Sequence, residues 1–275
     1  NMDTRIIILS DNRTDNPLLQ TEHGLSVYME CGVGKLLLDT GASDLFIRNA
    51  EALGIDLREV DYCLISHGHN DHIGGLPFFL QQNQKAKVIL SSEIPGAEYA
   101  SVRRYQHSIT GDVDFSQHRD RFIFVNEDMC VDDIHVYTHL SNHYAQPLGD
   151  RTLLIKDAQG EYVRDAFRHE LAFVIENVLF TGCAHNGILN ILESIQQPIS
   201  LSIGGFHLLD SHLNENYETD EALRYISTAL AHHYPDVEFY TGHCTGEHCY
   251  DVLSQSHQLK LHQFRCGDEI RVLPL

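Results

Sequence analysis

The chain has 275 residues, which is enough to bury a substantial core, and 43% hydrophobic with 21% charged residues is the composition of a globular protein. A formal net charge of -20 at pH 7 argues against binding to the phosphates of a nucleic acid. No apolar run approaches the roughly 20 residues of a membrane-spanning helix. We therefore expect neither a nucleic acid nor a membrane as partner, and composition predicts no oligomeric state.

The cysteines indicate a reduced compartment. There are seven, an odd number, and they stand singly, mostly on or near apolar runs. The first residues lack the basic segment and long apolar stretch of a secretion signal. We expect free thiols in a cytoplasmic protein.

The first third of the chain predicts strands, then a helix, then further strands. The β-rich runs are "RIIIL", "LSVYME", "KLLLDTG", "YCLIS" and "AKVILSS". Apolar residues at helical spacing in "SDLFIRNAEALGI" predict a helix that Gly54 ends. A second helix is predicted to begin in "GGLPFFLQQN".

The segment 93–120 is polar and without a regular pattern, so it predicts an irregular inserted cap or loop. Arg103 and Arg104 lie in it. We expect surface charges here, with phosphate binding through the guanidinium groups as the alternative.

Strands resume after the insert and then alternate with helices. The strand runs are "RFIFV", "IHVYTH", "RTLLIKD", "LAFVIEN", "VLFTG", "ISLSIGG", "VEFYTG", "LKLHQF" and "EIRVL", and the helical runs are "GILNILESIQ" and "TDEALRYISTALAHHY". Two β-rich blocks with helices predict an α/β fold, a four-layer α/β/β/α sandwich. Without a linker rich in proline, glycine or serine, residues 1–275 are predicted to form a single domain with the insert at about 93–120.

The stretch "CLISHGHNDHIGGL" places four metal-ligand side chains within six residues: His67, His69, Asp71 and His72. Imidazole nitrogen and carboxylate oxygen bind zinc, iron or manganese. The spacing of the first two histidines directs both side chains to one side of an extended segment. We predict one metal at His67 and His69 and a second at Asp71 and His72. Chance clustering in a chain with 19 histidines is the alternative.

Three strings, "LLLDTGASDLFIRNA", "LISHGHNDHIGGL" and "LFTGCAHNGILNIL", resemble in order and spacing the signature segments of the metallo-β-lactamase superfamily. "GGFHL" and "TGHCTG" resemble the subfamily of 7,8-dihydropterin-6-methyl-4-(β-D-ribofuranosyl)aminobenzene 5′-phosphate synthase. The resemblance implies a metal-dependent hydrolase or transferase acting on a small phosphorylated or pterin-like substrate through metal-activated water. It implies one or two divalent ions, zinc above all, with iron or manganese as alternatives.

The resemblance also assigns residues. It implies that Asp39 orients the histidine loop and that His243 completes the second site with Asp71 and His72. The family's bridging aspartate is replaced by Cys183, either a soft ligand or, the favoured interpretation, a small buried thiol.

The third ligand of the first site is predicted to be His185, with His143 as the alternative. His207 is a candidate catalytic residue, as a general acid or a donor to a substrate phosphate, and Asp71 is the second; the alternative for His207 is a structural hydrogen bond beneath its loop. His169 or Glu170 is expected to fix a ligand's tautomer.

Two other functions stay open at this point. One is a metal-binding sensor or interaction protein without catalysis. The other is an iron-dependent redox enzyme.

Overall fold

The computed structural model describes residues 3–273. Its strands are β1 (Thr4–Ser10), β2 (Ser26–Cys31), β3 (Gly34–Leu38), β4 (Tyr62–Leu64), β5 (Lys87–Ser91), β6 (Tyr99–Ser101), β7 (His107–Ser108), β8 (Phe122–Val125), β9 (Met129–Val131), β10 (Ile134–Tyr137), β11 (Leu153–Lys156), β12 (Tyr162–Arg164), β13 (Ala172–Ile175), β14 (Val178–Phe180), β15 (Leu201–Ile203), β16 (Glu238–Thr241), β17 (Leu261–Gln263) and β18 (Glu269–Val272). Its helices are α1 (Leu45–Ala52), α2 (Asn70–Ile73), α3 (Leu76–Gln82), α4 (Ile188–Ser194), α5 (Asp220–His233) and α6 (Glu247–Leu253).

Two seven-stranded mixed sheets form the body of the fold. The first has the order β18-β1-β2-β3-β4-β5-β8, and the second β17-β16-β15-β14-β13-β10-β9. In the first sheet β3, β4, β5 and β8 are parallel neighbours. In the second sheet the parallel neighbours are β14, β15, β16 and β17. Each sheet therefore has one edge at which the carboxyl ends of several parallel strands meet.

Alternating side chains of the strands pack on opposite faces of each sheet. Ile6 of β1 belongs to a core shared by both sheets, together with Phe180 of β14. Ile7 belongs to the core between the first sheet and helices α1 and α3. A third core joins the outer face of the second sheet to α4, α5 and α6. The layers run helix, sheet, sheet, helix, so the predicted four-layer α/β/β/α sandwich is confirmed.

Helix α5 begins where its sequence indicates. The Thr219 hydroxyl accepts a hydrogen bond from the Ala222 N–H at 3.1 Å, and Asp220 and Glu221 occupy the first turn.

The segment expected to be irregular, 93–120, contains β6 and β7. They pair with β11 and β12 in a third, four-stranded antiparallel sheet of order β12-β11-β6-β7. The run "RTLLIKD" thus contributes β11 to this small sheet and not to either large one. The pattern was hidden because these strands are only two to four residues long.

No helix in residues 3–273 is both long enough and apolar enough to cross a membrane.

Candidate metal centre

Three histidine rings, those of His67, His69 and His185, pack together at the edge where the parallel strands of both sheets end. We call them the first group. Their ring centroids lie 4.7, 4.9 and 5.1 Å apart, and each pair of rings meets edge to face. All three are buried, and the Nε2 atom of each has no hydrogen-bond partner in the described part of the chain. Three buried nitrogens without a partner are what a cation site requires of its ligands.

Neighbouring groups fix which ring nitrogen carries the proton. The Ser66 hydroxyl donates to Asp39 Oδ2 at 2.7 Å, so its oxygen accepts from His67 Nδ1 at 2.8 Å. His185 Nδ1 lies 2.9 Å from Asp150 Oδ1, and burial raises the pKa of that carboxyl group to about 9. In His67 the proton therefore sits on Nδ1 and leaves the Nε2 lone pair available to a ligand, and His185 has the same tautomer when the Asp150 oxygen accepts its proton.

Four other side chains, Asp71, His72, Cys183 and His243, form the second group. His72 Nε2 lies 3.1 Å from His243 Nε2 and 3.0 Å from Cys183 Sγ. Asp71 Oδ2 lies 3.0 Å from His243 Nε2. Ligand atoms about 3 Å apart are what a single ion with bonds of about 2 Å holds around it.

The two facing nitrogens of the second group both present lone pairs. His72 Nδ1 donates to Asp39 Oδ2 at 2.6 Å, and His243 Nδ1 donates to Asn12 Oδ1 at 2.8 Å. Two lone pairs 3.1 Å apart repel unless a cation or a proton lies between them. The residues present therefore fit a second metal ion.

The pKa values of the first group favour neutral imidazoles. Burial, followed by the neighbouring imidazoles, lowers the pKa of His67 and of His185 well below the usual value. Burial lowers the pKa of His69 to about 3. Neutral rings have free lone pairs at neutral pH, so no proton competes with a metal for them.

The second group attracts positive charge. Burial opposes protonation of His72, but the carboxylates of Asp71 and Asp39 outweigh burial and raise its pKa to about 10. Burial also disfavours the charge of Asp71, yet His72, His23 and His243 hold its pKa well below the usual range. The second group therefore favours a positive charge, either a proton or a cation.

Cys183 contributes to both groups. It belongs to the set with Asp71, His72 and His243, and equally to a set with His67 and His185. Burial raises the pKa of its thiol well above the usual value. Between two groups of metal ligands, the sulfur is placed to act as a ligand when a cation lowers that pKa.

Backbone conformation brings these loops together. Asp39, Ala184, His207 and His243 all adopt left-handed backbone conformations, with φ between 50° and 61°. A Cβ on Gly182 would lie 2.0 Å from Ser66 Oγ, so glycine permits the close approach of the two strand ends.

His169 and Glu170 hold the backbone of the ligand loops. The Gly68 N–H, between two ligands, donates to His169 Nδ1 at 3.0 Å. The Glu170 carboxylate accepts the N–H groups of His185 and Asn186 at 2.8 and 2.9 Å. These two residues therefore position the ligand loops. The sequence had led us to expect that one of them would fix the tautomer of a ligand ring, and their contacts to backbone N–H groups differ from that expectation.

His207 faces the first group. Its ring centroid lies 4.3 Å from that of His185, and both of its ring nitrogens are buried without a hydrogen-bond partner among the described residues. Its Nε2 lies 3.7 Å from Asp150 Oδ1. The ring also lies within reach of the sulfurs of Cys183 and Cys244, with which it forms a further set of possible metal ligands.

Two predicted candidates lie elsewhere. His143 is exposed, and its Nδ1 contacts Glu193 Oε1 at 2.6 Å, so the structure does not bring it to either group. Arg103 donates to Glu215 Oε2 at 3.1 Å and lies over the ring of Tyr217. Its guanidinium is already paired.

Some site residues were missed from the sequence. Asp11 accepts the His243 N–H at 2.8 Å, and Asn12 accepts from the ring of the same histidine. Their position directly after β1 was a usable signal, since Asp39 follows β3 in the same way. Asp150 and His23 carried no such signal. His23 is exposed, and its Nε2 lies 3.3 Å from Asp71 Oδ2.

Comparison with known proteins connects this geometry to a family. Residues 22–148 match the sequence model of the metallo-beta-lactamase superfamily. The solved structure of Tm1679, described as a metal-dependent hydrolase of the beta-lactamase superfamily, is 30% identical, with a TM-score of 0.79 over 98% of this chain and 99% of that one.

Two proteins of Methanocaldococcus jannaschii are also similar. The uncharacterized protein MJ0448 is 28% identical over 76% of this chain and 82% of its own length. The 7,8-dihydropterin-6-methyl-4-(beta-D-ribofuranosyl)-aminobenzene-5'-phosphate synthase is 25% identical over 82% of each chain. A diphosphatase of the PhnP family, 10% identical with a TM-score of 0.57 over 98% of each chain, shares the fold alone.

Proposed function

The chain belongs to the metallo-beta-lactamase superfamily, and from that premise we propose that it is a metal-dependent hydrolase acting on a small phosphorylated or pterin-like substrate. The observation that carries the proposal is the packing of three buried imidazoles, those of His67, His69 and His185, with ring centroids 4.7 to 5.1 Å apart and with no hydrogen-bond partner for any Nε2 atom among the described residues. A protein with no use for a cation would leave three costly polar atoms unpaired within one small cluster.

The chain's own residues have separable roles. The first group would hold one cation through three imidazoles, and the second group would hold another through a carboxylate, two imidazoles and a thiol. When bound, such cations lower the pKa of coordinated water and polarise a phosphoryl or carbonyl oxygen. Asp39 contacts His72 directly and reaches His67 through the Ser66 hydroxyl. It thereby keeps one ring of each group in the tautomer whose Nε2 can bind a metal.

His207 supplies the proton donor. An imidazole beside the first group, with neither ring nitrogen hydrogen-bonded to a described residue, can donate an N–H to the leaving oxygen of a substrate. We expect His207→Ala to keep its metal and lose turnover.

Cys183 distinguishes this centre from one with a bridging carboxylate. A single thiol shared between the groups couples two cations less firmly than two carboxylate oxygens do. We therefore propose that the residues of the first group, with His207 beside them, surround the bond that is hydrolysed, and that the residues of the second group orient the substrate.

The substrate class rests on a likeness in sequence. One relative, 25% identical over 82% of this chain, is named as the synthase of a dihydropterin compound that carries a 5'-phosphate. That name favours a phosphorylated, pterin-like substrate. The net charge of -20 does not oppose an anionic substrate, because divalent cations dominate the field within a small site.

The test uses protein stripped by a chelator and reloaded with zinc, manganese or iron. Bis(p-nitrophenyl) phosphate and p-nitrophenyl phosphate serve as probes, with His67→Ala as the defective variant and His143→Ala as the matched control. We expect turnover that returns with metal, is absent in His67→Ala and is unchanged in His143→Ala. Full metal content without turnover on phosphoesters, lactones or esters would overturn the proposal in favour of a metal-binding sensor. Iron-dependent oxygen consumption would overturn it in favour of redox chemistry.

A further inference from the structure

A cavity of about 490 Å³ lies beside the metal centre, between α4, the start of α5 and the loop that precedes Leu148. Pockets of about 300–1,000 Å³ are the usual size for small-molecule sites. No ligand of the first or second group lines this cavity. It is therefore a compartment distinct from the metal centre.

The lining is apolar and rich in aromatic rings. Its principal side chains are those of Tyr144, Leu148, Ile188, Phe206, Leu208 and Tyr225. Tyr225 is 62% exposed, so it stands at the mouth and not in the depth of the cavity. Such walls favour a flat ring, which gains both burial and aromatic contact.

The charged residues of the lining are both acidic, Glu218 and Glu221. No lysine, arginine or histidine is among the described residues that line it. An anionic ligand would meet only like charge, so the cavity selects against phosphates and carboxylates.

Glu218 is the polar feature that points to a ligand. Its Oε1 accepts the Leu148 N–H at 2.6 Å. Its Oε2 is buried, and no hydrogen-bond partner for it occurs within residues 3–273. A buried carboxylate oxygen without a donor is unfavourable, and a ligand N–H at this position would remove the penalty.

The same loops form the wall of the cavity and the support of the metal centre. Leu148 begins the short 3-10 turn Leu148–Thr152, which carries Asp150 to the ring of His185. His207 lies between Phe206 and Leu208 in the chain. The cavity thus lies behind the loops whose other face bears these residues.

We propose that this cavity is a second binding site, for a small molecule with an aromatic or heteroaromatic ring that carries an amidine-like or amino N–H donor. The donor binds Glu218 Oε2, and the ring packs against Tyr144 and Phe206. The proposal does not depend on the hydrolase proposed above, because its residues hold no metal.

Benzamidine is the probe, and benzoate is the matched control, with the same ring but an acceptor in place of the donor. Binding is followed by protein-observed NMR titration. We expect benzamidine to bind at least about tenfold more tightly than benzoate, since a hydrogen bond between charged groups is worth that much. Equal affinities, or no benzamidine binding at millimolar concentration, would overturn the proposal.

Two variants locate the contact. Glu218→Gln keeps an oxygen for the Leu148 N–H and should weaken benzamidine binding about tenfold, whereas Glu221→Gln, on the exposed first turn of α5, should change it by less than about threefold. Unchanged binding in Glu218→Gln, or equal losses in both variants, would contradict the assignment. Ala222→Phe, which fills the cavity, should abolish binding while circular dichroism and metal content stay as in the parent; if it fails to fold, the two glutamate variants decide.

Discussion

The first and second groups lie side by side but are built differently. The first consists of three buried imidazoles, and the outer nitrogens of His67 and His185 contact Ser66 and Asp150. The second combines a carboxylate, two imidazoles and a thiol, and the exposed ring of His23 lies 3.3 Å from Asp71. The pKa of His67 in the first group is lowered well below its usual value, whereas the pKa of His72 in the second is raised to about 10.

This difference separates two tasks. A cation would meet little competition from protons at the first group, because the lowered pKa of His67 keeps its ring neutral. At the second group a cation would compete with a proton on His72 and would require the Cys183 thiol to ionise. We therefore expect the second cation to be the exchangeable one.

The largest effect is expected from His185→Ala. Removing one of three imidazoles should release the first cation, together with nearly all phosphoesterase activity, since two imidazoles leave the ion under-coordinated. Metal analysis of the purified variant measures this. His143→Ala, at an exposed histidine, is the control and should retain its metal. Loss of metal in His143→Ala but not in His185→Ala would make His143 the third ligand of the first group in place of His185.

A selective loss should follow Cys183→Ser. The hydroxyl is a poorer soft ligand than the thiolate, so the second cation should be depleted more than the first. Cobalt-substituted protein offers a direct measurement, because thiolate ligation gives a near-ultraviolet charge-transfer band. That band should disappear in Cys183→Ser and persist in Cys130→Ser, a change at an exposed cysteine. A band that survives in Cys183→Ser would show that the thiol is only packed there.

Asp150→Asn tests the support of the first group alone. The amide would leave His185 without its carboxylate partner, and loss of such a partner typically costs about 10- to 100-fold in metal affinity. A chelator titration of both cations measures it. An equal loss of metal affinity at both groups would contradict their separation. Asp236→Asn removes one negative charge at an exposed aspartate and is the control for the change in charge.

The smallest effect is a difference in pH dependence. The pKa of His72 is raised to about 10 in the metal-free protein, so the ring is protonated below that pH and protons compete more strongly as pH falls. The apparent affinity of the second cation should decrease by up to about tenfold per pH unit. The first cation should be less sensitive, since the pKa of His67 is lowered. The measurement is the metal retained after dialysis at successive pH values. Loss of the first cation at a higher pH than the second would contradict this prediction.

The sequence predicted those ligands that lie close together in the chain or that stand in a string typical of the family. His67 to His72 lie in one short stretch, and His243 follows a strand in a string typical of the family. The four layers followed from strand and helix periodicity, because each periodicity reflects which face is buried.

What sequence reasoning missed depends on contacts between distant segments. Asp150 lies in a 3-10 turn with no periodic pattern, and it meets His185 only because β14 ends opposite that turn. The shared position of Cys183 is likewise a property of two sheets meeting, which no spacing in the chain encodes.

Anomalous diffraction from crystals of the metal-loaded protein tests the central claim most directly. One peak should lie within bonding distance of the Nε2 atoms of His67, His69 and His185, and a weaker one between Asp71, His72 and His243. Loaded metal that binds elsewhere, with the three Nε2 atoms directed to protein partners or to solvent, would contradict the account.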